Sequence, residues 1–396
     1  MNLWPTIRAV ALAALGAVAL RGAPASSPPH SVTDRLQPFL DRNVIAGAVV
    51  LIASPDAVLS LETIGYTDLK ARVPMVGNDL FWIASMTKAV TGTALMMLVD
   101  EGKVSVDDPV EKYLPEFKGQ KVELEVTSDR VILGSLARPI TIRQLLSHTA
   151  GLRMWTPLEK HIDTLPLAVT VQTYPLLPLQ FVPGTQYRYS NEGINTVGRI
   201  IEVVSGLSYA DFLQRRLLTP LGMTDTTFWP NSEQLGRLAK SYRRNAASGR
   251  LEEVPIGQLS YPLSDRRRSA CPAGGLFSTA TDVSILCRMI MNGGVYQGRR
   301  YLSPEALAAM CRTQTGDLKV GDSGDGYGLG WVTSHHSSFP GLAESELPFG
   351  SGGAYNTRMW IEPARRRITI LMVQQADPPK PEVAAMWAAL TTPSSR

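Results

Sequence analysis

The feature that most constrains this chain is a Ser-x-x-Lys sequence at the start of a regularly spaced apolar segment. The two residues are Ser85 and Lys88. From Met86 onward, apolar or small side chains recur at the spacing of one buried helix face, at Met86, Ala89, Val90, Thr93, Ala94, Met97 and Leu98. Gly102 then supplies a helix stop. The pattern predicts a helix over residues 85–101, with Ser85 at its N-terminus and Lys88 one turn later on the same side.

A hydroxyl at a helix N-terminus with a lysine one turn away suits nucleophilic catalysis. The positive end of the helix dipole stabilises an anion at Ser85. Lys88 can take the hydroxyl proton where burial or nearby positive charge lowers its affinity for protons. The alternative is a Ser N-cap followed by a solvated lysine, which the tetrapeptide alone favours. The other motifs decide between these interpretations.

The first 25 residues are typical of a secretory signal peptide. Arg8 precedes an apolar run over residues 9–20, and residues 23–25 form a small-residue cleavage site. The run is too short to span a bilayer comfortably. We therefore expect a secreted or periplasmic protein without an integral membrane segment after signal removal. An uncleaved anchor is the alternative.

The charge balance gives no reason to expect nucleic acid as a partner. The chain has 39 basic and 35 acidic residues, and removal of residues 1–25 takes away two arginines to leave 37 against 35. The five histidines have no metal-ligand spacing, so we expect no metal and no cofactor. The cysteines are Cys271, Cys287 and Cys311, and the sequence permits either one disulfide or free thiols.

Strand-like segments near both ends of the chain enclose a mostly helical middle. Apolar runs at 46–53 and 57–64 predict a hairpin, and residues 354–361 and 367–374 read as late strands. Helical patterns include 191–205 and 280–291. This order predicts an α/β (α+β) fold with one sheet built from both ends of the chain and a helical lobe. The predicted boundaries are 26–84 and 291–396 for the two parts of the α/β domain and 85–290 for the mostly helical domain.

A second motif is Tyr189-Ser190-Asn191, which follows a Pro183-Gly184 turn. Asn191 is predicted to cap the next helix. In a functional interpretation, the Tyr189 phenol relays a proton to the leaving group, and the Asn191 amide holds the lysine and the substrate carbonyl. In the alternative, Tyr189 is a core aromatic and Asn191 only a cap.

A third motif is a glycine-rich run that enters a strand. It contains Ser351, Gly352, Gly353 and Ala354. Glycines on a strand often mark the close approach of a ligand or another backbone. A backbone N–H on this strand can complete an oxyanion hole with the N–H of Ser85. A plain glycine-rich loop is the alternative.

These motifs resemble the serine β-lactamase and penicillin-recognising superfamily, closest to class C β-lactamases, D-alanyl-D-alanine peptidases and esterases that share their fold. The resemblance runs from about Ser31 to about Gln375. Further matching stretches lie at 107–115, 140–152, 183–191, 272–279, 327–331 and 350–354. It implies a β-lactamase/transpeptidase-like fold, in which helices flank an antiparallel sheet made from both chain ends.

The resemblance also implies roles for individual residues. Ser85 would form an acyl-enzyme, Lys88 would act as its general base, and Tyr189 would assist proton transfer. Asn191 would position Lys88 and the substrate. The N–H groups of Ser85 and Ala354 would form the oxyanion hole, with residues 148–152 as scaffold.

The chain departs from the family at Ser351, where the third motif usually begins with Lys or His. A hydroxyl lacks the charge that binds a β-lactam or peptide carboxylate. We therefore predict an exported esterase that acts on small acyl esters, with residues 153–181 lining or covering the cleft. A lipase-type hydrolase is disfavoured because the chain lacks a G-x-S-x-G sequence.

Two alternatives to the esterase remain open. The first is a β-lactamase or D-alanyl-D-alanine carboxypeptidase, for which His335 or Lys380 would have to replace the missing cation. The second is a non-catalytic binding or sensor protein that keeps the fold.

Overall fold

The computed structural model describes residues 31–156, 161–318, 320, 325–377 and 379–391. The predicted signal peptide lies outside these residues. The part from Val32 onward forms one compact unit, within which the predicted domain boundaries stay a prediction. The helices are α1 Gln37–Asp41, α2 Thr87–Asp100, α3 Ile142–Leu146, α4 Leu167–Thr173, α5 Asn191–Ser205, α6 Tyr209–Leu213, α7 Thr219–Leu221, α8 Ser232–Gly236, α9 Ala280–Met291, α10 Pro304–Cys311 and α11 Lys380–Thr391.

The strands are short except near the N-terminus of the described chain. They are β1 Gly47–Ala53, β2 Val58–Asp68, β3 Val73–Pro74, β4 Phe81–Trp82, β5 Lys121–Val126, β6 Val131–Ser135, β7 Tyr242–Arg244, β8 Leu251–Glu253, β9 Phe277–Ser278, β10 Val295–Tyr296, β11 Arg299–Arg300, β12 Gly326–Tyr327, β13 Val332–Thr333, β14 Phe349–Gly352, β15 Arg358–Glu362, β16 Arg367–Met372 and β17 Gln375–Ala376.

One eight-stranded antiparallel sheet joins the two ends of the chain, which confirms the predicted architecture. Its strand order is β12-β13-β14-β15-β16-β1-β2-β3. The N-terminal β1 pairs directly with β16, and Val49 lies opposite Met372. Hydrogen bonding between strands far apart in sequence therefore holds the two chain ends in one layer.

Strand β1 is buried along its whole length, and its alternate side chains join two different cores. Val49 and Leu51 pack into the larger core, with side chains of α2 and α9. Val50 packs with Phe39 of α1 and Met386 of α11 in the smaller core. A strand buried on both faces reads as an uninterrupted apolar run, and this explains its sequence.

Helix α2 is buried on every side, so the predicted single buried face is wrong. All residues over 87–98 are buried. The helix packs against α5 and α10, and its backbone meets a loop so closely that a Cβ on Gly92 would lie 2.4 Å from the Leu329 carbonyl oxygen. Gly102 adopts the left-handed conformation expected of a helix stop, with φ of 68°.

The predicted helices at 191–205 and 280–291 are confirmed as α5 and α9. The predicted strand at 354–361 begins too early, because β15 starts at Arg358. The preceding residues form a turn, closed by a 2.8 Å hydrogen bond from the Gly353 N–H to the Thr357 carbonyl oxygen. This turn carries part of the glycine-rich motif to the side of Ser85.

Candidate active site

Ser85 lies in a strained turn immediately before α2. The α-helix begins at Thr87, and a 3₁₀ turn over Ala84–Met86 leads into it. Ala84 has φ of 45°, a left-handed conformation that is uncommon outside glycine. Backbone strain of this kind concentrates at functional sites. Here it presents the half-buried Ser85 at a cleft.

Lys88 is fully buried and hydrogen-bonded to the hydroxyl of Ser85. Its Nζ donates to Ser85 Oγ at 3.1 Å and to the carbonyl oxygen of Ala273 at 2.6 Å. Among the ion pairs of the described chain, none involves Lys88. A nucleophile within hydrogen-bond reach of an amine is the geometry of an activated serine.

Tyr189 lies beside this pair. Lys88 Nζ is 4.7 Å from the centroid of the Tyr189 ring, within the range of a cation–π contact. The fold therefore gathers a hydroxyl, an amine and a phenol from two segments about 100 residues apart in the sequence. The roles assigned to the three residues stay predictions.

Asn191 is the first residue of α5, but it does not cap the helix as predicted. The N-cap is Ser190, whose Oγ accepts the Gly193 N–H at 3.0 Å and donates to the Arg153 carbonyl oxygen at 2.7 Å. Within the described chain, no hydrogen bond joins Asn191 to Lys88, whose second contact is Ala273 instead. Asn191 is buried and lines the cleft beside Ser85, where its amide can face a substrate.

The glycine-rich motif packs its backbone against the turn that leads to Ser85. A Cβ on Gly353 would lie 2.4 Å from the Ile83 carbonyl oxygen, so only glycine fits without movement. Ala354 lines the cleft together with Ser85, as the predicted oxyanion hole requires. Ser351 and Gly352 lie on β14 and border a neighbouring groove.

The cleft at Ser85 is small, and its described lining residues are uncharged. It encloses about 60 Å³. Among its described lining residues there is no lysine, arginine, histidine or carboxylate; they are Trp82, Ala84, Ser85, Met154, Trp155, Ile162, Asn191, Asn195, Gln258, Cys271, Ala273, Gly274 and Ala354. Three of these residues, Met154, Trp155 and Ile162, belong to the segment predicted to line the cleft. Residues 157–160 of that segment lie outside the described residues.

Sequence reasoning missed Asn195, which supports the wall behind Lys88. Its Oδ1 accepts the Ala273 N–H at 3.1 Å, and its Nδ2 donates to the Tyr174 hydroxyl at 3.0 Å. The same Ala273 carries the carbonyl that accepts from Lys88. The signal was available, because Asn191 and Asn195 are spaced to share one face of α5.

Neither of the two cations named as replacements for the missing charge at Ser351 lines the cleft at Ser85. His335 is in an exposed segment, where its Nδ1 lies 3.1 Å from Ser337 Oγ. Lys380 borders the groove beside Ser351 together with Arg358, rather than the cleft itself. The position of Arg358 on β15, opposite Gly352, was not anticipated from the sequence.

Other site types find no support in the described residues. No group of His, Cys, Asp and Glu side chains there is arranged to hold a metal ion. The three cysteines are free thiols, and burial raises the pKa of Cys287 and Cys311. No helix among those described is long and apolar enough to cross a membrane.

Comparison with known proteins agrees with this geometry. The sequence model of the beta-lactamase family matches residues 32–392. Protein Rv1367c of Mycobacterium tuberculosis is 32% identical over 89% of this chain and 91% of its own length. Lovastatin esterase of Penicillium rubens is 28% identical over 80% of this chain and 86% of its own. The solved structure of EstCE1, a hydrolase with promiscuous acyltransferase activity, has a TM-score of 0.74 at 23% identity and covers 91% of this chain and 97% of that one. The chain belongs to the beta-lactamase family and has its fold.

Proposed function

We propose that this protein is an exported serine esterase that transfers small acyl groups through Ser85. The observation that carries the proposal is the 3.1 Å contact between Lys88 Nζ and Ser85 Oγ at a cleft of about 60 Å³, which has no charged residue among its described lining residues. A small uncharged cleft favours a short, neutral acyl group over a carboxylate-bearing one. The similarity to lovastatin esterase supports the same class of reaction.

The proposed reaction uses the groups gathered at the cleft. Lys88 takes the hydroxyl proton as Ser85 Oγ attacks the ester carbonyl carbon. The N–H groups of Ser85 and Ala354 stabilise the oxyanion of the tetrahedral intermediate. Its collapse breaks the bond to the alcohol, which leaves with a proton relayed through Tyr189. Water then hydrolyses the acyl-enzyme by the same route and restores the free serine.

The test measures the turnover of one short-chain chromogenic ester and of one chromogenic cephalosporin by the same preparation of purified mature protein. We expect ester turnover far above cephalosporin turnover, and loss of both in Ser85→Ala. Wild-type ester rates in Ser85→Ala would overturn the proposal. Intact folding without turnover in the wild type would favour a binding or sensor protein.

A second candidate, hydrolysis of a carboxylate-bearing substrate such as a β-lactam, is favoured by the groove beside Ser351. This groove encloses about 840 Å³, and Arg358 and Lys380 border it. The Arg358 guanidinium stacks on Trp387, with its Cζ 4.9 Å from the ring centroid. Burial lowers the pKa of Arg358, and the charge of Asp325 partly offsets this effect. Gly352 lines the groove and Ala354 lines the cleft, so residues two apart in the sequence border the two spaces.

The matched variants Arg358→Gln and Arg365→Gln separate the two candidates. Arg365 is an exposed arginine on the turn after β15 and serves as the control. If the groove reads a carboxylate, Arg358→Gln raises the KM for a hemisuccinate ester or a cephalosporin, while a neutral ester and the control variant are unaffected. Equal effects on charged and neutral esters would exclude this role.

A further inference from the structure

One buried histidine beside the candidate site has no part in the reaction as described. His148 follows α3, is 1% exposed and adopts φ of 59°. Its backbone carbonyl accepts the Arg188 N–H at 3.0 Å. The residue is therefore fixed, by its main chain, against the segment that carries Tyr189.

The His148 side chain makes a second contact to that segment. Its Nδ1 lies 3.1 Å from the backbone N–H of Ser190, the residue between Tyr189 and Asn191. Since Nδ1 accepts this hydrogen bond, the imidazole is neutral and carries its proton on Nε2. Burial and the nearby charge of Lys88 hold the pKa of His148 well below its usual value, which preserves the neutral form.

The imidazole ring also packs on the Tyr189 ring. Their centroids are 4.4 Å apart with 34° between planes, and Lys88 Nζ lies 4.7 Å from the centroid of the same Tyr189 ring. Tyr327 lies edge-on to His148 at 4.5 Å, and Tyr187 lies at 5.9 Å. Nε2 is buried and has no hydrogen-bond partner in the described chain, so the polar contact of the ring is the one through Nδ1.

We propose that His148 is a positioning residue for acyl transfer: its Nδ1 and its ring face together hold Tyr189 against Lys88. The inference rests on the proposed function, because Tyr189 must relay a proton for its placement to matter. His148 is not among the described lining residues of the cleft, and the side chain it packs on is Tyr189, so we infer that it acts through Tyr189. The groups that face it are Lys88 of α2, Tyr187 and Tyr189 of the segment before α5, and Tyr327 of β12.

Two substitutions separate the two contacts. His148→Asn keeps a hydrogen-bond acceptor near the Nδ1 position and tolerates a positive φ, but it lacks the ring. His148→Phe keeps an aromatic ring and loses the acceptor. Each variant is combined with Tyr189→Phe to complete a double-mutant cycle, and thermal unfolding is followed in all of them.

The readout is the rate at which a fluorophosphonate probe labels Ser85, which depends on activation of the serine and not on the natural substrate. We expect His148→Phe to lower the labelling rate by about tenfold or more, which is part of the 10²–10⁴-fold rate increase that positioned acid–base groups contribute. His148→Asn should recover part of this rate. In the Tyr189→Phe background, the same substitutions should lower the labelling rate little further.

The outcomes distinguish this inference from the proposed function. Additive losses in the double mutants would show that His148 does not act through Tyr189, and would overturn the inference while leaving the esterase proposal intact. Losses that merely follow the drop in unfolding temperature would overturn it as well. Failure of the wild-type protein to label at Ser85 would overturn the proposed function and this inference together.

Discussion

The carbonyl oxygen of Ile83 lies so close to Gly353 that a Cβ on this glycine would be 2.4 Å from it. The Thr357 hydroxyl donates to the same oxygen at 3.3 Å. Ile83 is two residues before Ser85, and Gly353 is one residue before Ala354. One backbone contact therefore sets the spacing of the two N–H groups proposed to form the oxyanion hole.

Gly353→Ala should disable this arrangement. The added methyl group pushes the glycine-rich turn away from Ser85, and loss of one oxyanion donor typically costs about 10²–10³ in kcat. Steady-state ester hydrolysis measures the effect. Gly236→Ala is the control, since a Cβ at that exposed position meets nothing within 4 Å. Unchanged kcat in Gly353→Ala would contradict the assignment of the oxyanion hole.

Lys88→Met should separate activity from stability. Removal of the proposed general base is expected to lower kcat by about 10²–10⁴. The free energy of unfolding should stay level or rise, because an apolar side chain of similar volume replaces a fully buried amine. Ester kinetics and urea unfolding test both effects, with the exposed Lys112→Met as control. A variant as active as the wild type would rule out the proposed base.

Asp163→Asn should destabilise the wall of the cleft. Asp163 and Arg268 form a buried ion pair at 2.7 Å, and Asp163 also accepts the Ser260 N–H at 3.0 Å. Neutralising one partner leaves the other charge buried, which typically costs about 3–5 kcal/mol. The neighbouring Ile162 lines the cleft, so the KM for the ester should rise too.

The surface pair Asp265–Arg267 provides the matched control for this experiment. Arg267 is 90% exposed, and ion pairs between exposed side chains contribute little to the free energy of unfolding. Urea unfolding of Asp163→Asn and Asp265→Asn gives the comparison. Equal losses of unfolding free energy in the two variants would show that the buried Asp163–Arg268 pair matters no more for stability than the exposed pair.

Asp282 should make the protein less stable as pH rises from about 4 to 7. Burial raises the pKa of this carboxyl from 3.8 to about 6, although Thr226 and the Asp225 N–H donate to it. The folded state then binds the proton more tightly than the unfolded state, so stability falls as pH rises through the folded pKa. At about 1.4 kcal/mol per pKa unit, the free energy of unfolding falls by about 3 kcal/mol over the whole titration.

Asp282→Asn removes this titration and should flatten that part of the pH profile. Urea unfolding of both proteins at pH 5 and pH 7.5 measures the difference. We expect the free energy of unfolding of the wild type, relative to that of Asp282→Asn, to be higher at pH 5 than at pH 7.5. A wild-type protein whose stability relative to Asp282→Asn rises between these two pH values would refute the assignment.

Sequence alone was sufficient where the deciding interactions are local. The apolar spacing over 191–205 and 280–291 marks α5 and α9, because a helix satisfies its backbone hydrogen bonds within four residues. The uninterrupted apolar run of β1 likewise indicates a strand buried on both faces. Ser85 and Lys88 are one turn apart, so their 3.1 Å contact follows from helical geometry.

Tertiary structure decided everything that joins distant parts of the chain. Lys88 donates to Ala273, 185 residues away, and no pattern around either residue signals that contact. His148 meets Tyr189 across 41 residues, and β15 carries Arg358 into register with Gly352 of β14. α2 is buried all round because α5, α10 and the Leu329 loop enclose it, whereas its sequence suggested one buried face. Local periodicity reports which face of an element is apolar, while the partners of that element depend on how the whole chain packs.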